Sequence, residues 1–316
     1  MTAPTAEAPA RIEAKKRAGD IWFSGTALFA GSMIVVTLAA VAIFLIVQSV
    51  PAFSATSDTA SLLKSDFWSY VLPLLFGTIW AAFLALLVAV PLSIGIALFI
   101  THYAPRRLAQ TLGYVVDLLA AVPSVVFGLW GILVFAPALV PTYSWLNEYL
   151  GWIPFFSGQV LNSGRTILTA ALVLAVMVVP IITAICREIF LQTPRLHEEA
   201  ALALGATRWE MIRMAVLPFG RSGIVSASML GLGRALGETM AVAMVLSATN
   251  VVTLQLLTSQ NPSTIAANIA LTFPEAYKLN INILIATGLI LFIVTFAVNA
   301  VARWIVGRRK EFSGAN

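Results

Sequence analysis

Six long stretches of this chain carry almost no charge, and that pattern restricts its fold more than any other feature. They run from about Gly25 to Val50, Val71 to Ile100, Leu112 to Leu139, Thr166 to Ile185, Gly223 to Thr249 and Ile281 to Ile305. About 20 apolar residues in a helix cross the ~30 Å hydrocarbon core of a bilayer, since each residue advances ~1.5 Å. Barrel strands would need ten-residue segments of alternating polarity, whereas these runs are continuously apolar. The expected fold is therefore all-α and polytopic, with six transmembrane helices. Composition points the same way: 59% of the 316 residues are hydrophobic and 10% are charged, against about 25% charged in soluble domains. Some runs exceed 25 residues, so tilt, kinks or surface-lying ends must absorb the excess. The second run is interrupted by Pro91 and Gly95, and the third contains Asp117, Pro123 and Gly128.

The distribution of Lys and Arg sets the expected orientation. With the N-terminus inside, fifteen of the 19 basic residues fall in the cytoplasm: a tail cluster at Arg11–Arg17, Arg106 and Arg107, five from Arg187 to Arg221, and four from Arg303 to Lys310. Lys64, Arg165 and Lys278 fall outside, and Arg234 falls within the fifth run. That bias predicts a multi-pass inner-membrane protein with both termini in the cytoplasm. The expected division is a tail over 1–24, a membrane domain over 25–306 with a cytoplasmic loop over 187–222, and a tail over 307–316. The first apolar run is too long for a signal-peptide core, despite the cleavage-like Ala52-Phe53-Ser54-Ala55, so it is read as an uncleaved helix. A net charge of +5 without an aromatic-interleaved basic patch does not mark a nucleic-acid binder. Cys186 is the only cysteine, which excludes an intrachain disulfide and a cysteine-rich metal site. His102 and His197 lie beside predicted membrane boundaries and read as interfacial polar residues. Trp22, Trp68, Trp145, Trp152 and Trp304 fit interfacial anchoring.

The 187–222 loop is the long polar segment of the inner side. Pro194 suits a helix start with Thr193 as its cap, the Glu198–Leu204 run is helix-forming, and Gly205 suits its end. Thr207-Arg208-Trp209-Glu210 reads as a capping box opening a second helix that Pro218 stops. Two short amphipathic helices joined at a glycine would form a projecting knob. Glu199-Ala200-Ala201, then Gly205, then Ala215-Val216-Leu217-Pro218 resembles the EAA loop of ABC importer permeases, with alanine where the family usually has isoleucine. The resemblance implies that Glu198, Glu199, Ala200, Ala201, Gly205, Leu217 and Pro218 couple to a cytoplasmic ATPase subunit. The chain has no Gly-x-x-x-x-Gly-Lys-Ser/Thr loop to cradle nucleotide phosphates. It is therefore expected to be a non-catalytic subunit without a cofactor of its own, ATP and magnesium belonging to partner subunits.

Within the fifth run, Gly231-Leu232-Gly233-Arg234-Ala235-Leu236-Gly237-Glu238-Thr239-Met240 places two ionisable residues near the bilayer middle. An arginine there costs at least ~2.5–3.5 kcal/mol, so it must face protein or a watery cavity. Four residues apart on one helix, Arg234 and Glu238 would share a face. Either they form an intrahelical ion pair that holds subunits together, or Arg234 offers its planar donor fork to an oxyanion. Gly231, Gly233 and Gly237 would clear space for close approach. The segment also resembles the phosphate-specific ABC permeases, in the form found in the first of their two permease subunits. Leu118–Ser124 and Gly128-Leu129-Trp130-Gly131 extend the likeness across the chain.

What this resemblance implies is a substrate pathway through Arg234, Glu238, Gly231, Gly233, Gly237 and Thr239. Arg234 would offset the charge of hydrogen phosphate, and Glu238 would accept its P–OH, which sulfate lacks. It further implies a heterodimer with a paralogous permease, two ATP-binding subunits and an extracytoplasmic phosphate-binding protein, all in a lipid bilayer. The segment around Pro262 to Phe273 reads as a short outer docking helix. Asp117 reads as an intramembrane acid near the inner boundary with a structural partner. Permeases for sulfate, molybdate or phosphonate remain open as rivals. So does an ion-coupled carrier using Glu238 for protons, which would leave the knob unexplained.

Overall fold

The computed structural model describes residues 18–307. The basic clusters at Arg11–Arg17 and Arg308–Lys310 lie outside the described residues. The chain divides into two compact units, residues 1–47 and 48–316. The first is represented by the body of helix α1 (Ala18–Phe53), whose apolar window buries none of its residues. Trp22, Phe23, Leu28 and Phe29 are each more than 70% exposed. A helix apolar on every side is stable only where lipid or another membrane protein surrounds it.

In the second unit, five further helices are long and apolar enough to cross a membrane, which makes six with α1. Its centre is α6 (Ile167–Leu191), with 67% of its apolar window buried. Packed against α6 are α2 (Phe67–Leu98) and α9 (Leu217–Gly237). The α2 contact has a simple sequence cause. Ala81, Ala85, Ala89, Ser93 and Ala97 recur every fourth residue and are all buried. Such a ridge of small side chains lets two backbones approach, which is how membrane helices gain dispersion energy. Ser93 Oγ donates across the seam to the Val179 carbonyl at 3.1 Å. The expected interruption at Pro91 and Gly95 does not occur. The helix runs through both and ends in a wide π-type turn, Phe99–Tyr103, since membrane helices tolerate proline where local adjustment re-satisfies the freed carbonyl.

The third span differs from its expected limits. Residues 106–120 form a separate amphipathic helix, α3 (Arg106–Ala120), and the spanning helix begins at Ser124. Pro123 (φ −59°, ψ 140°) is extended and starts the new helix, since proline disfavours helical geometry in the residue before it. The span then runs as α4 (Ser124–Trp130), a wide turn at Gly131–Phe135, and α5 (Ala136–Leu150). Asp117 therefore lies on α3 and not within a span, which corrects its reading as an intramembrane acid.

After the α6 C-terminus come α7 (Arg195–Ala203) and α8 (Arg208–Met211). Pro218 does not stop the helix that α8 opens. A wide turn at Ile212–Val216 carries α8 directly into α9, with Leu217 N–H donating to the Ile212 carbonyl. Pro218 then sits in the first turn of α9, where a missing N–H costs little. Beyond α9 the chain breaks and restarts as α10 (Met240–Val245), which lies against α4. A Cβ on Gly128 would stand 3.0 Å from the Ala241 Cα, and one on Gly131 would stand 2.8 Å from Val245 Cγ2. The Gly128–Gly131 segment is thus a close-packing seam for α10.

At the end remote from α7, β1 (Ala248–Thr249) and β2 (Asn261–Pro262) pair in parallel, followed by α11 (Ile265–Thr272) and α12 (Leu279–Gly307). Asn261 is fully buried and organises this loop. Its Oδ1 accepts from Ile167 N–H at 3.2 Å, and its Nδ2 donates to the Thr258 carbonyl at 2.7 Å. The Pro262–Phe273 segment does contain a helix, α11, with Ile265 and Ala267 buried against its neighbours.

Enlarging the α2 ridge tests the central seam. Ala85→Leu should lower the unfolding temperature of the purified protein, with a loss of about 1–3 kcal/mol from overpacking. A size change on the exposed face of the same helix, Leu87→Ala, should change it little.

Candidate functional site

The two candidate regions of the chain are a cavity beside α9 and the knob formed by α7 and α8. The cavity, about 910 Å³, opens between α6, α9 and α12. Val225, Ser226, Met229, Leu230, Gly233 and Arg234 line it from α9, Ile181 from α6, and Asn299, Ala302 and Arg303 from α12. The α9 spacings of three and four residues put one helical face on the cavity. No aspartate or glutamate is among these lining residues. Arg234 Nε is buried and has no hydrogen-bond partner. Among the described residues, the ion pairs within 4.0 Å are His102–Glu198, Arg187–Asp117 and Arg187–Glu188, so Arg234 has no carboxylate neighbour. A buried guanidinium N–H left unpaired is costly, and a hydrogen-bond acceptor in the cavity would relieve it.

Glu238 does not stand one turn above Arg234, contrary to the expectation of a shared face. The helix ends at Gly237, and Glu238 is extended (φ −69°, ψ 128°). Its Oε1 accepts from Ala241 N–H at 3.1 Å and so caps α10, and the residue is 8% exposed. The local sequence explains the break. Gly233 and Gly237 weaken the end of α9, while a carboxylate three residues before Ala241 satisfies a donor that α10 would leave unpaired. The remaining pathway candidates separate as well. Gly231 is buried against α6, where a Cβ would meet Ile182 and Val178 at 2.7 Å. Gly233 lines the cavity, Gly237 is exposed at the break, and Thr239 lies in it with its Oγ1 donating to the Gly237 carbonyl at 3.2 Å.

In the knob, Gly205 has φ +87°, the left-handed region that glycine enters freely, and it ends α7. Thr207 and Glu210 form both arms of a capping box. Thr193 does not cap α7. Pro194 occupies that position, and Thr193 is buried with Oγ1 unpartnered. Glu199, Ala200 and Pro218 are exposed, as are Leu196 and Leu204, the latter at 90%. Ala201 and Leu217 pack inward on the core. Glu198 also turns inward, 3.5 Å from Nε2 of His102 at the end of α2. His102 is thereby more than an interfacial polar residue, since it ties a membrane helix to the knob.

Nearby, Arg187 on α6 reaches Asp117 on α3 at 3.4 Å and Glu188 at 3.0 Å. Gly113 makes room for that guanidinium, because a Cβ there would lie 2.6 Å from Arg187 Nη1. Sequence reading missed the Arg187–Asp117 and His102–Glu198 tethers, since partners so far apart in the chain leave no local pattern.

The family model described as the binding-protein-dependent transport system inner membrane component matches residues 89–311. The chain belongs to that family. It is an integral inner-membrane protein. Among curated relatives, it is 49% identical over 307 residues to the phosphate transport system permease protein PstC 2 of Mycobacterium tuberculosis, covering 92% of this chain and 93% of that one. It is 47% identical over 281 residues to the phosphate transport system permease protein PstC of Mycobacterium leprae, covering 85% and 87%. Its fold is similar to that of a bacterial alginate ABC transporter chain solved in complex with an alginate pentasaccharide-bound periplasmic protein. That match has a TM-score of 0.57 at 16% identity and covers 92% of this chain and 97% of that one. The matched region runs from within α2 to beyond α12 and includes the residues that line the cavity and form the knob.

The capping role of Glu238 can be separated from a charge role. Glu238→Gln keeps an acceptor oxygen for Ala241 N–H and should leave the unfolding temperature of the purified protein near the unsubstituted value. Glu238→Ala should lower stability by about 1 kcal/mol, the usual worth of an N-terminal cap.

Proposed function

We propose that this chain is the membrane permease subunit of an ABC importer that carries inorganic phosphate across the inner membrane. The observation that carries the reading is the cavity beside α9. It holds a buried, unpartnered Arg234 N–H and no acidic lining residue, and relatives at 49% and 47% identity are named phosphate transport permeases. Guanidinium suits a tetrahedral oxyanion because its planar fork gives two parallel charge-assisted hydrogen bonds.

In this reading the knob side faces the cytoplasm, as the Lys and Arg bias requires, and both termini lie there. The exposed face of α7, with Glu199, Ala200, Leu196 and Leu204, is the docking surface for an ATP-binding subunit. ATP and magnesium act in that subunit. A paralogous permease closes the open side of the cavity, two ATP-binding subunits drive the cycle, and an extracytoplasmic phosphate-binding protein delivers the substrate to the opposite face. Motion at the knob reaches the cavity by a short mechanical route, because α8 and α9 are one continuous membrane-length helix. Gly233 and Arg234 belong to the pathway itself. Gly231 sets α9 against α6, and the Gly237–Thr239 break with the Glu238 cap provides a joint between α9 and α10. With Glu238 engaged as a cap, a proton-carrier reading has no support from its position.

The test is uptake of labelled phosphate and sulfate by the complete complex in proteoliposomes, with and without ATP inside. Uptake of phosphate should require ATP. Arg234→Gln should reduce it by about 2 kcal/mol, roughly thirtyfold, the scale for losing a hydrogen bond to a charged group, with normal assembly. Phosphate uptake at full rate in Arg234→Gln, or without ATP, would overturn the reading.

A further inference from the structure

The Arg234 cavity contains a second arginine whose position has a direction. Arg303 and Asn299 both line it from α12 and stand four residues apart, so they occupy one face. The two helices run in opposite senses. Helix α9 rises from the knob, whereas α12 starts at the far side, where Asn280 and Asn282 bond to Ser61 and Gln48 and Ile283 packs with Phe67 at the α2 start. The end of α2 is at the knob, as the His102–Glu198 contact shows. Arg303, near the end of α12, therefore lies on the knob side of the cavity, and Asn299 lies one turn deeper.

Arg234 occupies the deep end. It is nine residues beyond Val225 on α9, about 13 Å at the helical rise, and both residues line the same cavity. Among the described residues, Arg303 also has no carboxylate within 4.0 Å.

We propose that Arg303, with Asn299, forms a second anion station on the pathway, receiving the oxyanion from Arg234 on its way to the knob side. The inference rests on the phosphate-permease reading above and extends it to the exit. A lone cation in the cavity wall, with its Nε buried, would hold an anion too well for release. A second cation nearer the mouth lowers the barrier to departure, since two weaker, adjacent sites allow passage where one strong site retains. Asn299 Nδ2 donates one N–H to the Thr295 carbonyl at 2.9 Å, which leaves its second amide N–H as a neutral donor between them. The bland alternative is that Arg303 is a topology anchor at the membrane surface.

The two are separated in the full complex, by turnover per assembled complex and by the half-saturating phosphate concentration. Arg303→Gln should lower turnover on the order of tenfold, the scale of one charge-assisted hydrogen bond, with little change in the half-saturating concentration set at the entry side. Val301 is 56% exposed and faces away from the cavity. Adding Val301→Arg to Arg303→Gln restores a cation at the same depth on the other face of α12. An anchor would be rescued by that change, whereas an anion station would not. Arg303→Lys should recover part of the rate.

As an independent variant, Asn299→Asp should also slow turnover by placing a carboxylate on the path while Arg303 stays. Rescue by Val301→Arg, or full turnover in Arg303→Gln or Asn299→Asp while Arg234→Gln is inactive, would overturn the exit station and leave the phosphate reading intact. Full turnover in Arg234→Gln as well would remove both.

Discussion

Inside a bilayer, apolar side chains gain nothing by leaving water, so helices hold together only where their surfaces meet closely. This constraint explains why the centre of the second unit is built from small residues. The Ala81–Ala97 ridge of α2 brings that helix onto α6, and Gly231 brings α9 onto α6 as well. Gly128 and Gly131 then let α10 lie against α4. With bulky residues at these positions the helices would still be stable as helices in lipid, but the cavity between α6, α9 and α12 would have no defined wall. The site depends on the seams.

The second organising constraint is the cost of charge. Arg234 is held in an apolar wall with an N–H unpaired, and the acids that could have neutralised it are committed elsewhere. Glu238 caps α10, Glu198 meets His102, and Asp117 and Glu188 share Arg187. This partition keeps the cavity cationic while tying the knob to α2 and α3 to α6. The charged residues of the described structure are thus divided by location, paired around the knob and unpaired at the cavity. Because α8 runs through a wide turn into α9, the knob and the arginine stand on one continuous helix.

Much of this was legible in the chain. Six spans followed from the length of the uncharged runs, and the knob followed from local signals at Gly205 and at the Thr207–Glu210 box. Both kinds of signal act over a few residues. Among the readings that failed, three did so where a local pattern met a longer-range alternative. Pro123 split the third run because a flanking amphipathic segment could lie at the interface as α3. Pro218 was absorbed by the turn before it. Glu238 left the Arg234 face because ending α9 satisfied a donor of α10.

The sequence by itself determined that the chain is an all-helical membrane protein with an arginine deep in one span and a polar knob between two others. Those properties depend on solvation and on backbone chemistry, which are local to each segment. Only the tertiary structure decided which charges meet. The pairing of Arg187 with Asp117 and of His102 with Glu198, and the convergence of Arg234 and Arg303 on one cavity, depend on how helices distant in sequence are brought side by side. That arrangement comes from the small-residue seams, whose register is a property of two surfaces and not of either segment alone.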